Sequence, residues 1–192
     1  PLLQGHGTSP ERLVLIKYFQ WVEKINESIK FLEKECNEIY LIGNSLGGNL
    51  ALISAEKSKK IKGIITLGTP IYFHNHRINK NIILPILRRI KLFQKKKYKN
   101  PRLIKKLNKS RVSYTSIPLK SLLQVIKIIE LSKKNLKKIK KPLLIMQTKN
   151  DGVVKEESGR FIIQNTSSKK KFLKTIPESY HVFILDKHKE KA

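Results

Sequence analysis

The chain has 192 residues, 40% of them hydrophobic, a formal net charge of +27 and one cysteine. That length and apolar content suit one folded domain and exclude a disordered chain. The lone Cys36 excludes an internal disulfide, and no apolar run reaches the length of a membrane span. The charge invites anionic partners, but lysine, isoleucine and asparagine are abundant together, as A/T-rich codons produce them. Solvated lysine faces are then the plain reading.

In chain order, residues 1–3 read as the tail of a strand or an extended loop, followed by the turn-rich segment Gln4-Gly5-His6-Gly7-Thr8-Ser9-Pro10. Ser9 can cap a short helix with Pro10 in its first turn. A longer helix is expected over residues 18–36, with Trp21, Ile25, Ile29 and Leu32 as its apolar stripe and Cys36 packed at its end. Residues 39–42 form a short β-branched run typical of a buried strand. A helical pattern then places Leu46, Leu50, Ile53 and Lys57 on one side. Residues 61–67 read as the next strand, stopped by Gly68-Thr69-Pro70. Strands alternating with helices imply an α/β fold whose parallel sheet is covered on both faces.

Residues 71–141 differ, with 22 lysines and arginines against one acid, Glu130. Helical patches fall at 82–93, 101–107 and 119–131, so this segment is expected to be a basic helical insertion between two core parts, 1–70 and 142–192. Residues 142–147 return to a strand pattern, ending in the loop Thr148-Lys149-Asn150-Asp151-Gly152. A helix over 155–164, a last strand over 171–176, the loop Pro177-Glu178-Ser179-Tyr180-His181 and a helix beginning at 182–185 complete the chain.

The chemistry-bearing stretch is Gly43-Asn44-Ser45-Leu46-Gly47 between the first strand and its helix. Strand, G-x-S-x-G and helix in succession describe a nucleophile elbow. Composition alone predicts roughly 0.03 such matches in a chain of this make-up. The sharp turn lifts a serine hydroxyl clear of the sheet. Gly43 and Gly47 keep side chains out of the bend, and the Leu46 N–H, at the helix start, can donate to an oxyanion. In open α/β sheets reactive groups gather beyond the strand C-termini. Ser45, Asp151 and His181 stand there in the order nucleophile, acid, base. Asp186, the one other aspartate, falls in the expected last helix. His6 sits in the early loop, His188 in a charged tail, and His74 and His76 form an H-x-H pair with no cysteine or acid close in sequence. The triad chemistry calls for no metal or organic cofactor.

These motifs resemble the bacterial carboxylesterases related to monoacylglycerol lipases, within the α/β-hydrolase superfamily. The matching pieces are G-H-G-T-S-P, L-I-G-N-S-L-G-G, G-T-P-I-Y, L-L-I-M-Q-T-K-N-D-G-V-V and S-Y-H-V-F-I-L-D. The resemblance implies Ser45 as nucleophile, Asp151 as acid, His181 as base, a small acyl-ester substrate and a lid at 71–141. It also implies that the chain carries strands five to eight of the fold. The earlier strands, and the H-G-F-type loop with a second oxyanion donor, have no counterpart here. An intact member would be an esterase and this chain a nearly inert piece of one. No signal peptide is visible, and a cytoplasmic location is expected.

Two other readings stand beside the esterase. The segment 82–97 joins apolar to basic residues, with Pro85 interrupting it, and could lie on an anionic membrane. Nucleic-acid binding would rest on charge alone, since no recognised module is present and aromatic residues are few in the basic segment.

Overall fold

The computed structural model describes residues 1–75, 93–95, 114, 116–177 and 181. Helix α1 (Pro10–Leu15) starts as its sequence predicts, with the Arg12 N–H donating to Ser9 Oγ at 3.3 Å. Helix α2 (Tyr18–Glu35) opens with the Lys17 N–H donating to Gln20 Oε1 at 2.8 Å. Trp21 and Ile29 of its stripe are buried, Ile25 is half-buried, and Leu32 in the last turn is exposed. The Trp21 indole N–H donates to the Gln4 carbonyl at 3.0 Å, so its polar edge is satisfied inside the core. Cys36 packs against the cluster of Ile29, Ile39 and Ile61.

The body is a four-stranded parallel sheet of order β1 (Ile39–Asn44), β2 (Ile61–Leu67), β5 (Leu143–Thr148) and β6 (Lys171–Ile176). Helix α3 (Leu46–Ser54) links β1 to β2, and α5 (Glu157–Asn165) links β5 to β6. In α3, Leu50 and Ile53 are buried with Trp21 and Ile128, and Leu46 packs against them. Lys57 lies beyond the helix end and is exposed, so it is not part of that stripe.

The sheet faces are unequal. Ile64, Leu143 and Ile145 point into the main core with Leu52, Ala55 and Ile162 of the helices. The other face carries Tyr40, Ile42 and Phe172 at 60%, 66% and 67% exposure. Register aligns Ile42, Ile65, Leu144 and Phe172 in one row across all four strands. Among the described residues the helices pack on the face of Ile64, Leu143 and Ile145, while Leu67, Met146 and Ile176 are buried on the other. Alternating elements announce a parallel sheet, but they do not say on which side each crossover lies.

The basic segment is also not uniform. Helix α4 (Leu119–Asn135) and the 3₁₀ turn Leu136–Lys138 belong to the body. Ile128, Ile129, Leu136 and Ile139 are buried, and Asn135 Nδ2 donates to the Leu52 and Ile53 carbonyls at 2.6 and 3.3 Å. Packing therefore does not change at residue 141, where the charge pattern does. Phe93 was expected to end the helical patch 82–93 but opens β3 (Phe93–Lys95), antiparallel to β4 (Ser116–Pro118). The remaining expected patches, 82–92 and 101–107, and the helix at 182–185 lie outside the described residues. No helix among the described residues is long and apolar enough to cross a membrane.

Candidate active site

Ser45 sits between the last residue of β1 and the first of α3, with φ 52° and ψ −119°. It is the one non-glycine with positive φ among the described residues. Such backbone costs of order 1–3 kcal/mol and persists only where its surroundings fix it. Here the Ser45 N–H donates to the Leu67 carbonyl at 2.7 Å, and the Gly48 N–H donates to the Ser45 carbonyl at 2.9 Å.

The bend is tight enough to dictate two neighbours. A Cβ on Gly43 would lie 2.2 Å from the Gly47 carbonyl oxygen, and one on Gly48 would lie 1.7 Å from Thr69 Oγ1. At Gly47 a Cβ would meet nothing within 4 Å among the described residues. Among the described residues the tight contacts therefore fall on Gly43 and on Gly48, the second member of the Gly47-Gly48 doublet.

Asp151 follows β5 and its side chain is fully buried. Oδ1 accepts the N–H groups of Val153 and Val154 at 2.8 and 2.9 Å, which pins the carboxyl. Oδ2 lies 2.7 Å from His181 Nδ1, and His181 Nε2 lies 2.9 Å from Ser45 Oγ. A carboxylate can only accept, so Nδ1 carries the hydrogen, and Nε2 is left with a lone pair for the serine hydroxyl. The His181 side chain is 17% exposed, within reach of solvent but not loose in it.

The Asp151 loop is held from the side by the chain that follows β2. Phe73 and Val154 form an antiparallel bridge, the His74 N–H donates to the Val153 carbonyl at 3.0 Å, and the Lys155 N–H donates to the Tyr72 carbonyl at 2.9 Å. Gly68, at φ +56°, passes beneath the imidazole. A Cβ there would lie 3.1 Å from the His181 carbonyl oxygen and 3.5 Å from Nδ1. Sequence reading took Gly68 only as a strand stop; its positive φ and this close approach are its reason. Leu46, the first residue of α3, offers an N–H without an intrahelical partner.

The other histidines stay apart from this cluster. His6 stacks edge-on against Trp21 at 5.9 Å between ring centroids. His74 lies in the strap beside Asp151, while His76, His188 and Asp186 lie outside the described residues. No group of three or more His, Cys, Asp or Glu side chains arranged for a metal occurs among the described residues.

A strained serine, an imidazole and a buried carboxyl joined in series at the strand C-termini narrow the comparison to known proteins. The profile described as "Serine aminopeptidase, S33" matches residues 3–188. The chain belongs to the serine aminopeptidase S33 family. Within the curated relatives, it is 29% identical over 186 residues to the thermostable monoacylglycerol lipase of Bacillus sp. (strain H-257), covering 97% of this chain and 72% of the lipase. It is 28% identical to the carboxylesterase of Bacillus subtilis (strain 168), covering 99% of this chain and 75% of the esterase. A structure from the work on LipS and LipT, two metagenome-derived lipolytic enzymes, superposes with a TM-score of 0.86 at 24% identity. It spans the whole of this chain and 76% of that one. The monoacylglycerol lipase of Paleococcus ferrophilus gives 0.73 at 20% identity, over 92% of this chain and 72% of that one. At those identities the two structures speak for the fold. This S33 chain carries part of an α/β-hydrolase fold, as the motifs implied.

Proposed function

We propose that the protein is a carboxylic-ester hydrolase of the carboxylesterase and monoacylglycerol lipase kind, working through Ser45, His181 and Asp151. The continuous hydrogen-bond path from Ser45 Oγ through the imidazole to Asp151 carries this reading. The S33 profile and the lipase and esterase relatives support it.

In this mechanism His181 Nε2 takes the Ser45 proton as Oγ attacks the ester carbonyl. Asp151 holds the ring in the correct tautomer and stabilises the imidazolium. The Leu46 N–H, on the positive end of α3, receives the developing oxyanion. The imidazolium then protonates the leaving alcohol, and water, activated by the same imidazole, releases the acid from the acyl-serine. Thioesters and amides would follow the same path.

The sequence supplies no H-G-F-type loop, so Leu46 is the single oxyanion donor this reading identifies. Lacking one donor typically costs about 10²–10³ in turnover. This chain alone is therefore expected to be slow, whereas Ser45 is still expected to react. Hydrolysis of p-nitrophenyl butyrate and labelling by a fluorophosphonate probe test the two parts separately. Weak hydrolysis and labelling, both lost in Ser45→Ala, are the expected result. Labelling that persists in Ser45→Ala would overturn the nucleophile. Turnover at full family level would overturn the slow-fragment part alone.

A further inference from the structure

The parallel sheet has a second edge, opposite the triad, where all four strands begin. Backbone hydrogen bonds lock the strand beginnings side by side. The Ile39 N–H donates to the Lys60 carbonyl at 2.8 Å, Ile64 to Pro142 at 2.9 Å, and Leu143 to Lys170 at 2.9 Å. This register gathers lysines that are far apart in sequence. Lys59 and Lys62 flank the start of β2, Lys138 and Lys140 precede β5, and Lys169 and Lys170 precede β6. All six are exposed, and none is ion-paired to a carboxylate among the described residues.

Between β5 and β6 the same edge opens a recess of ≈ 590 Å³ lined by Lys140, Pro142, Ser167, Lys169 and Lys170. Carboxylates also belong to this edge, Glu33 and Glu38 towards β1 and Glu56 at the start of β5. Glu33 is hydrogen-bonded by Ser58 Oγ, Glu38 by the Tyr40 hydroxyl, and Glu56 accepts the Lys140 and Lys141 N–H groups. Glu56 thus stands beside Lys140 at the start of β5, and the six lysines leave this edge with a surplus of positive charge.

We infer that this lysine edge is a docking surface for an anionic lipid bilayer. Its composition favours that partner over nucleic acid. Every cation named is lysine, a compact and strongly hydrated point charge suited to diffuse attraction, where arginine would give bidentate recognition of individual phosphates. Among the described residues no aromatic side chain lines the recess to stack a base. A flat negative surface needs neither feature, and clustered lysines are drawn to it within a Debye length. Because the strands run parallel, docking by this edge turns the Ser45 edge outward, about 20 Å away for six-residue strands. Substrate would then arrive from water rather than from the bound bilayer. The inference does not depend on ester hydrolysis.

Co-sedimentation of the full chain with phosphatidylcholine vesicles, with and without phosphatidylserine, tests it. Binding is expected only with phosphatidylserine, with release as salt rises. Lys140→Glu/Lys169→Glu/Lys170→Glu should weaken it by about tenfold or more. The matched variant Lys30→Glu/Lys120→Glu/Lys127→Glu removes the same charge from α2 and α4 and should retain most of it. Equal loss in both variants would assign the binding to bulk charge and overturn the inference. So would binding to pure phosphatidylcholine, or displacement from phosphatidylserine vesicles by a single-stranded oligonucleotide at equal phosphate. Circular dichroism of each variant confirms that it is folded.

Discussion

The two ends of the sheet are built on opposite principles. Where the strands finish, side chains are few, directional and interlocked. Asp151 accepts three hydrogen bonds, and Ser45 holds a backbone conformation that two further bonds enforce. Where the strands begin, side chains are numerous, exposed and alike, and none of the six lysine side chains is ion-paired among the described residues. Geometry governs the first region and summed charge the second. Single atoms should therefore matter at one end and only totals at the other.

The largest effect should come from one atom. In Asp151→Asn the amide oxygen can still accept the Val153 and Val154 N–H groups, leaving the NH₂ facing Nδ1. The imidazole is then forced into the tautomer that cannot take the serine proton. Ester turnover should fall by about 10⁴-fold with stability nearly unchanged; a loss below tenfold would break the contrast. Next, Gly48→Ala drives a methyl into Thr69 and should cost about 1–3 kcal/mol or more in denaturant unfolding. Gly47→Ala, one residue away, should shift stability by no more than about 1 kcal/mol, in the favourable direction. Equal melting of the two would sink the assignment of the steric demand to Gly48.

Tyr114→Phe sharpens the comparison at an intermediate scale. The Tyr114 hydroxyl donates to the Gly5 carbonyl and accepts the Thr8 N–H, both at 2.8 Å, joining the basic segment to the early glycine loop. Its loss should cost about 1–2 kcal/mol. The smallest effect belongs to the lysine edge, where Lys62→Gln or Lys169→Gln should change unfolding free energy by less than about 0.5 kcal/mol. A larger change would mean that geometry matters there too.

The sequence was most legible where a local rule and a long-range need coincided. G-N-S-L-G between an apolar run and a helical pattern announced the elbow without any partner in view. Asp151 and His181 were singled out because each follows a strand, and the structure sets His181 between Asp151 and Ser45 at hydrogen-bond distance. The glycines exposed the limit of the motif. Whether Gly47 or Gly48 carries the close contact depends on Thr69, twenty-odd residues later, and no local pattern reports that distance. Gly68 was hidden for the same reason, since its neighbour His181 comes from the far end of the chain. The charge pattern breaks at residue 141 while the packing does not, because α4 keeps its lysines in water while burying Ile128 and Ile129. A basic sequence can still supply a core helix when its apolar residues recur at helical spacing.

The row of Ile42, Ile65, Leu144 and Phe172 has a consequence for handling the molecule. Among the described residues β1 is a terminal strand of the sheet with a greasy strip beside it, a surface on which two copies could zip together. Mutual repulsion between chains of charge +27 opposes that encounter in dilute buffer. Added electrolyte shortens the reach of the repulsion to about 3 Å at 1 M and leaves the strip's own attraction intact. Solutions clear at low ionic strength should turn turbid as salt is raised, the reverse of what a protein held together by ion pairs would do.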